Sequence, residues 1–250
     1  MMHDWNITRN YVIFMDLPLV FDIDEAVSGS DPFGFKPECG ARLGVMPRNG
    51  SNSDIKWIEI NPCFVFHPMN AYEEGDNIIL HVCRQNKAMV GGMDEIYGGE
   101  DTTGKLWKWT INLTSGSCLE EQIDDRPCDF ARVDDRLVGL KAKNGYAMAL
   151  DEKADTLTFD QYLYKFDLEN NKRIDHDLGE NVFGGEPIFV PKNKDLPEDN
   201  GWIMAIVYDA NIDKSKLIIV DTENFDKKPI GEVILPQRVP FGAHGSWLSN

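Results

Sequence analysis

Three histidines, His3, His67 and His244, stand far apart in the chain, each in a short segment of unusual composition: MMHDW, CFVFHPMNAY and VPFGAHGSW. Neutral imidazoles drawn together from distant strands are what a buried redox metal takes as ligands, and no other residues gather so clearly. The chemistry they suggest is that of a non-haem iron centre. Taken singly, each would read as a structural histidine in a turn. His67 follows the apolar run CFVF and precedes Pro68, which disfavours helix for the residue before it and predicts the end of a strand there. His244 lies beyond Pro240 and Gly242 and just before Gly245, which predicts a tight backbone with room around the ring. His3 leads through Asp4 and Trp5 into the run YVIFM.

The elements that must carry these side chains read as strands. YVIFM from Tyr11, WIEI from Trp57, NIILHVC from Asn77, LWKWTINL from Leu106, YLYKFDL from Tyr162, WIMAIVYD from Trp202 and KLIIVDT from Lys216 are short β-type runs separated by turn residues. LWKWTINL and YLYKFDL alternate apolar and polar residues with period 2, which predicts one buried face, whereas WIMAIV reads as buried on both. Segments such as SGSDPFG at Ser28, GGMDEIYGGEDTTG at Gly91 and PKNKDLPEDNG at Pro191 are expected to be surface loops. Periodicity alone leaves a sandwich, a barrel and a propeller open, and no strong internal repeat stands out.

A chain of 250 residues with 42% hydrophobic residues can fill a substantial core. The 42 acidic against 25 basic residues give a formal charge of -17, which repels phosphate and disfavours nucleic acid partners. Cys39, Cys63, Cys83, Cys118 and Cys128 form no CxxC pair, so reduced thiols in a cytoplasmic setting are expected. No signal-like segment and no apolar run long enough to cross a bilayer is present. The sequons at Asn6, Asn49 and Asn112 are read as chance matches.

Other motifs are weaker. GEDTTGKL at Gly99 has the spacing of a phosphate-binding loop, but Leu106 stands where Ser or Thr would hold magnesium, and the segment runs towards a strand. DANIDKS at Asp209 begins like a calcium loop but has Lys214 at the glycine position and Val220 at the bidentate position, so a turn between strands is expected. SGS at Ser115 and GSW at Gly245 lack the flanks of a nucleophile elbow. His81, inside NIILHVCR, reads as a packed or surface side chain, and His176, between Asp175 and Asp177, as solvated in a loop.

The segments MMHDWNITRNYVIFMDLPL, FHPMNAYEEGD, FGGEPIFVP, EDNGWIMAIVYD and LPQRVPFGAHGSW, in this order, resemble the carotenoid cleavage oxygenase family, including its stilbene-cleaving branch. The resemblance covers nearly the whole chain. It implies an all-β fold, the C-terminal portion of a seven-bladed β-propeller, with residues 1–250 forming a single incomplete propeller domain whose N-terminal blades are absent. It implies Fe(II) as cofactor, with His3, His67 and His244 matching the second, third and fourth of four histidine ligands. Glu186, in GGEPIFV, matches a carboxylate that orients a ligand imidazole, and Asp129, in DDRPCDFARVD, stands one methylene short of another.

The implied reaction is that of a non-haem Fe(II) dioxygenase cleaving a conjugated C=C bond of a carotenoid, apocarotenoid or stilbene with O2 to give two carbonyl products. The implied partners are O2, a lipophilic or aromatic small molecule, and the N-terminal half of the same protein. Lipophilic substrates of this kind call for peripheral membrane contact in many members, although no basic amphipathic helix occurs here. The alternatives are an inactive propeller fragment or binding module, and an isomerohydrolase built on the same iron scaffold.

Overall fold

The computed structural model describes residues 1–88, 102–151, 153, 158–242 and 244–248. Most of GGMDEIYGGEDTTG, with the first three residues of GEDTTGKL, lies outside the described residues. The chain forms two compact units. One comprises Met1–Pro127, Gly139–Lys141 and Asp151–Thr158; the other comprises Cys128–Val138, Ala142–Leu150 and Phe159–Asn250.

The first unit is built from β1 (Asn6–Ile7), β2 (Tyr11–Asp16), β3 (Leu19–Phe21), helix α1 (Ile23–Ser28), β4 (Phe33–Phe35), β5 (Ala41–Pro47), β6 (Lys56–Ile60), β7 (Phe64–Glu74), β8 (Asn77–Gln85), β9 (Lys105–Asn112) and the start of β10 (Ser117–Arg132). All pairings are antiparallel, as short connections require. One sheet runs β1-β2-β5-β6, β3 and β4 form a hairpin, and β7, β8, β9 and β10 pair in sequence order. Ile13 and Met15 of β2, Leu43 and Val45 of β5 and Ile58 of β6 alternate inward to one dry face. Burial runs along the whole of β8 after Asn77, so both of its faces are covered. Lys105 opens β9, and the described part of GEDTTGKL enters a strand as expected.

The second unit holds the end of β10, then β11 (Asn144–Leu150), β12 (Phe159–Asp167), β13 (Lys172–Asp177), β14 (Val182–Phe183), β15 (Ile188–Pro191), β16 (Gly201–Asp209), β17 (Lys214–Asp221) and β18 (Gly231–Ile234). β14 and β15 both pair with β16, and β17 and β18 follow it. The turn expected at Asp209 is there: β16 ends on Asp209, whose carboxylate accepts from Asn211 N at 3.0 Å and pairs with Lys216 at 2.7 Å.

Three expectations about these strands are corrected. WIMAIV is not covered on both faces: Ile203, Ala205 and Val207 are buried, but Ile206, on the opposite face, is 48% exposed. YLYKFDL does not alternate cleanly, because Tyr164, Lys165 and Phe166 are all buried, the Lys165 ammonium pairing with Asp199 and donating to the Thr222 carbonyl. His176 is not solvated. It sits in β13 opposite Leu163 with its Nδ1 2.8 Å from the Phe225 carbonyl, and burial pushes its pKa down. His176 shares its face of β13 with Ile174, which is 45% exposed, so that face is covered only towards the end of the strand, which the flanking aspartates conceal in the sequence.

Candidate metal centre

In the first unit His67 is a residue of β7, and Pro68 does not end that strand: it continues to Glu74. The expectation of a strand end at Pro68 is therefore overturned. Proline lacks the N–H a ladder needs, and the β7–β8 register shifts on both sides of it, between Val65 and Pro68 and between Pro68 and Asn70. Such an irregularity absorbs the proline and re-aims the neighbouring side chain. His67 is buried, and its ring meets that of His3 edge-on, centroids 5.2 Å apart at 86°. Two imidazoles each binding one ion at about 2.1 Å bring their centroids to roughly this separation.

Polar anchors hold both histidines in place. Asn70 donates to the Leu140 carbonyl at 2.8 Å and accepts from Gly139 N at 3.0 Å, fixing β7 just beyond His67. Farther along, Glu73 accepts from Thr8 Oγ1 at 2.6 Å and from Asn10 N and Nδ2 at 2.8 Å, which ties the segment following His3 to the same strand. Burial works against the charge on Glu73, but these donors hold its carboxyl below the usual range.

In the second unit His244 lies in an irregular segment beyond β18, where Glu186 receives it. Nδ1 of His244 is 3.0 Å from Glu186 Oε1, and Gly245 N donates to Oε2 at 2.6 Å. A carboxylate only accepts, so Nδ1 carries the hydrogen and Nε2 keeps the lone pair that a metal could take. A cavity of about 370 Å³ in this unit is lined by Ile206, Leu217, Phe241 and Trp247 and bordered by Glu186 and His244.

Asp129 is fully buried in β10, where its Oδ1 accepts the N–H of Phe130 at 2.8 Å. Phe130 holds φ at +53°, a left-handed conformation that an aromatic residue rarely adopts, within a register shift between Asp129 and Arg132. Its ring lies 5.5 Å from that of His244. Sequence reasoning missed Arg132, which donates from Nη1 to Glu186 Oε1 at 3.1 Å and to the Gly245 carbonyl at 3.2 Å. The available signal was a cation three positions after Asp129 in the same segment.

The family model described as retinal pigment epithelial membrane protein matches residues 1–249. The chain belongs to the carotenoid cleavage oxygenase family. It is 33% identical to a carotenoid 9,10(9',10')-cleavage dioxygenase of Crocus sativus over 271 residues, covering 100% of this chain and 48% of that protein. It is 31% identical to a carotenoid cleavage oxygenase of Mycobacterium tuberculosis over 293 residues, covering 99% of this chain and 58% of that protein. Among solved structures, cobalt-substituted apocarotenoid oxygenase of Synechocystis superposes with a TM-score of 0.86 at 28% identity, covering all of this chain and 53% of the other. This oxygenase-family chain is thus all-β with the strands of a partial β-propeller, and it spans about half the length of the curated relatives it matches. Among the described residues no helix is long and apolar enough to cross a membrane.

Proposed function

We propose that this family member contributes His3, His67 and His244 to one Fe(II) centre, within a single propeller domain that cleaves a conjugated C=C bond of a carotenoid, apocarotenoid or stilbene with O2. The observation that carries the reading is the Nδ1 of His244 held by the buried carboxylate of Glu186, an arrangement that leaves the lone pair of the other ring nitrogen for a metal. The perpendicular pair His3 and His67 supports it from the first unit. The donor set fits the ion: three neutral imidazoles leave the charge of Fe(II) uncompensated, which suits an oxygen-activating centre. When bound, Fe(II) would supply the redox chemistry through which O2 adds to the double bond.

The chain's own residues have narrower tasks. His3, His67 and His244 hold the ion. Glu186 fixes the tautomer of His244, and Asp129 shapes the backbone beside it through its bond to Phe130 N. The wall of Ile206, Leu217, Phe241 and Trp247 offers an apolar surface to a lipophilic substrate. No side chain is needed as a general base. A fourth imidazole would come from the other half of the propeller, which the longer relatives contain and which we propose as the partner of these residues. The cytoplasmic setting read from the cysteine spacing belongs to the same proposal.

The test is anaerobic reconstitution with Fe(II), metal analysis, and product analysis with apocarotenoid and stilbene substrates. The expected result is about one ion per chain, lost in His67→Ala and bound about 10–100-fold more weakly in Glu186→Gln, with two carbonyl products per cleavage once the complementary half is supplied. Metal content that ignores all three histidine replacements would sink the iron reading. Stoichiometric iron with no cleavage in the complemented protein would favour the non-catalytic binding module instead.

A further inference from the structure

Glu186 is a buried carboxylate, its side chain 6% exposed, that serves three donors: His244 Nδ1, Gly245 N and Arg132 Nη1. The first two belong to the segment after β18, whose other ties among the described residues include the Phe241 ring edge-on to Phe159 with centroids 4.9 Å apart and the Phe130 ring 5.5 Å from that of His244. Val239 N donates to Ser215 Oγ at 2.9 Å, and the Arg238 guanidinium lies 4.4 Å from the centre of the Tyr208 ring. Arg132 touches both the carboxylate and the segment, because the same Nη1 donates to the Gly245 carbonyl at 3.2 Å. Its other end is fixed, Nη2 donating to Asp135 Oδ1 at 3.0 Å.

We propose that Arg132 is a positioning residue for His244: it balances the buried charge of Glu186 and bridges it to the Gly245 carbonyl, so that the carboxylate, the imidazole and the backbone after it form one rigid assembly. The functional side of this proposal rests on the reading of His244 as a metal ligand, but its geometry does not. A guanidinium suits the task because its donors are planar and fixed relative to one another, whereas an ammonium is a point charge on a flexible stem. The bulge between Asp129 and Arg132, with Phe130 at positive φ, sets where the guanidinium emerges from β10. Without Arg132 the Glu186 carboxylate, its side chain 6% exposed, would lose one of its three donors, and it would turn towards water.

The test uses the full metal-free chain at one alkaline pH, comparing Arg132→Met and Arg132→Lys with the parent. It reads two signals: hydrogen exchange at the Gly245 amide, and the imidazole nitrogen shifts of His244, which report its tautomer. In Arg132→Met the Gly245 amide should exchange about tenfold faster or more, and the His244 shifts should move towards a tautomer average, while amides of β16 and β17 keep their protection. Arg132→Lys should fall between the two. Glu186→Gln is the reference for complete loss of the His244 signature.

An unchanged Gly245 amide and an unchanged tautomer in Arg132→Met would overturn the proposal. If that variant unfolds, shown by lost protection in β16 and β17, Arg132→Lys decides alone: parental behaviour overturns the proposal and intermediate behaviour supports it. Titration with Co(II) then separates the two readings. Binding weakened about 10–100-fold in Arg132→Met extends the positioning role to the metal, whereas no binding by the parent chain counts against the metal centre and leaves the imidazole signals to judge Arg132.

Discussion

His81 shows what a buried imidazole does to stability when neither a carboxylate nor a carbonyl receives it. It is 1% exposed in β8, neither ring nitrogen has a hydrogen-bond partner, and the ring stacks on Tyr72 with centroids 6.3 Å apart. Burial, with a smaller push from Lys108, lowers its pKa to about 4. The folded value lies below the unfolded one of about 6.5, so the unfolded chain takes up the proton first as the solution is acidified. The contribution from neutral His81 is therefore complete above about pH 6.5 and drains away as the pH falls towards 4, by about 3 kcal/mol in all. Urea unfolding at pH 7.5 and 4.5 checks this, and His81→Phe should remove much of the difference; an equal pH dependence in the variant would refute it. His176, equally buried but accepted by the Phe225 carbonyl, is the internal comparison. Asp129 is a second case at this scale. Asp129→Ala would strip a buried acceptor from the strained Phe130 amide and should cost about 1–3 kcal/mol in chemical denaturation, with loss confined to the second unit if the strain is local.

At the scale of elements, the approach of the loop before β15 to β16 controls where Glu186 points. A Cβ at Gly185 would run into the backbone carbonyl of Ile206, so alanine there must displace one strand or the other. Gly185→Ala should destabilise the chain by about 2–4 kcal/mol and weaken metal binding together with it, read by thermal unfolding and Fe(II) content; a stable variant with parental metal content would show that the approach is not needed. This contact also marks what could be read beforehand. The strand runs, the turn after Asp209 and Glu186 as a candidate acceptor, though not its pairing with His244, were visible because local composition or family wording carries them. Strand continuity through Pro68, the open face of WIMAIV and the inward turn of His176 were not. Each depends on register with a partner strand or on what covers a sheet, and neither leaves a trace in the composition of the segment itself. Arg132 escaped for a similar reason: its role appears only when a bulge in β10 carries it to a loop more than fifty residues away.

For the molecule as a whole, the distribution of apolar surface matters more than its amount. Among the described residues β18 pairs only with β17, and Ile230, Val233 and Ile234 at that margin are 61%, 50% and 59% exposed. Phe241 and Trp247, each 49% exposed, add to the uncovered area. A strand edge with bare aliphatic side chains invites pairing between copies. The chain should therefore self-associate as its concentration rises, and Val233→Glu with Ile234→Lys should return it towards monomer in sedimentation velocity; association undiminished by that double replacement would place the contact elsewhere. Against this attraction stands the net charge of -17. Mutual repulsion reaches about 10 Å at 0.1 M salt and only about 3 Å at 1 M, so ionic strength becomes a dial on the edge of β18: dilute buffer keeps the copies apart, and concentrated salt lets them zip together, the reverse of what an assembly made by ion pairs would do.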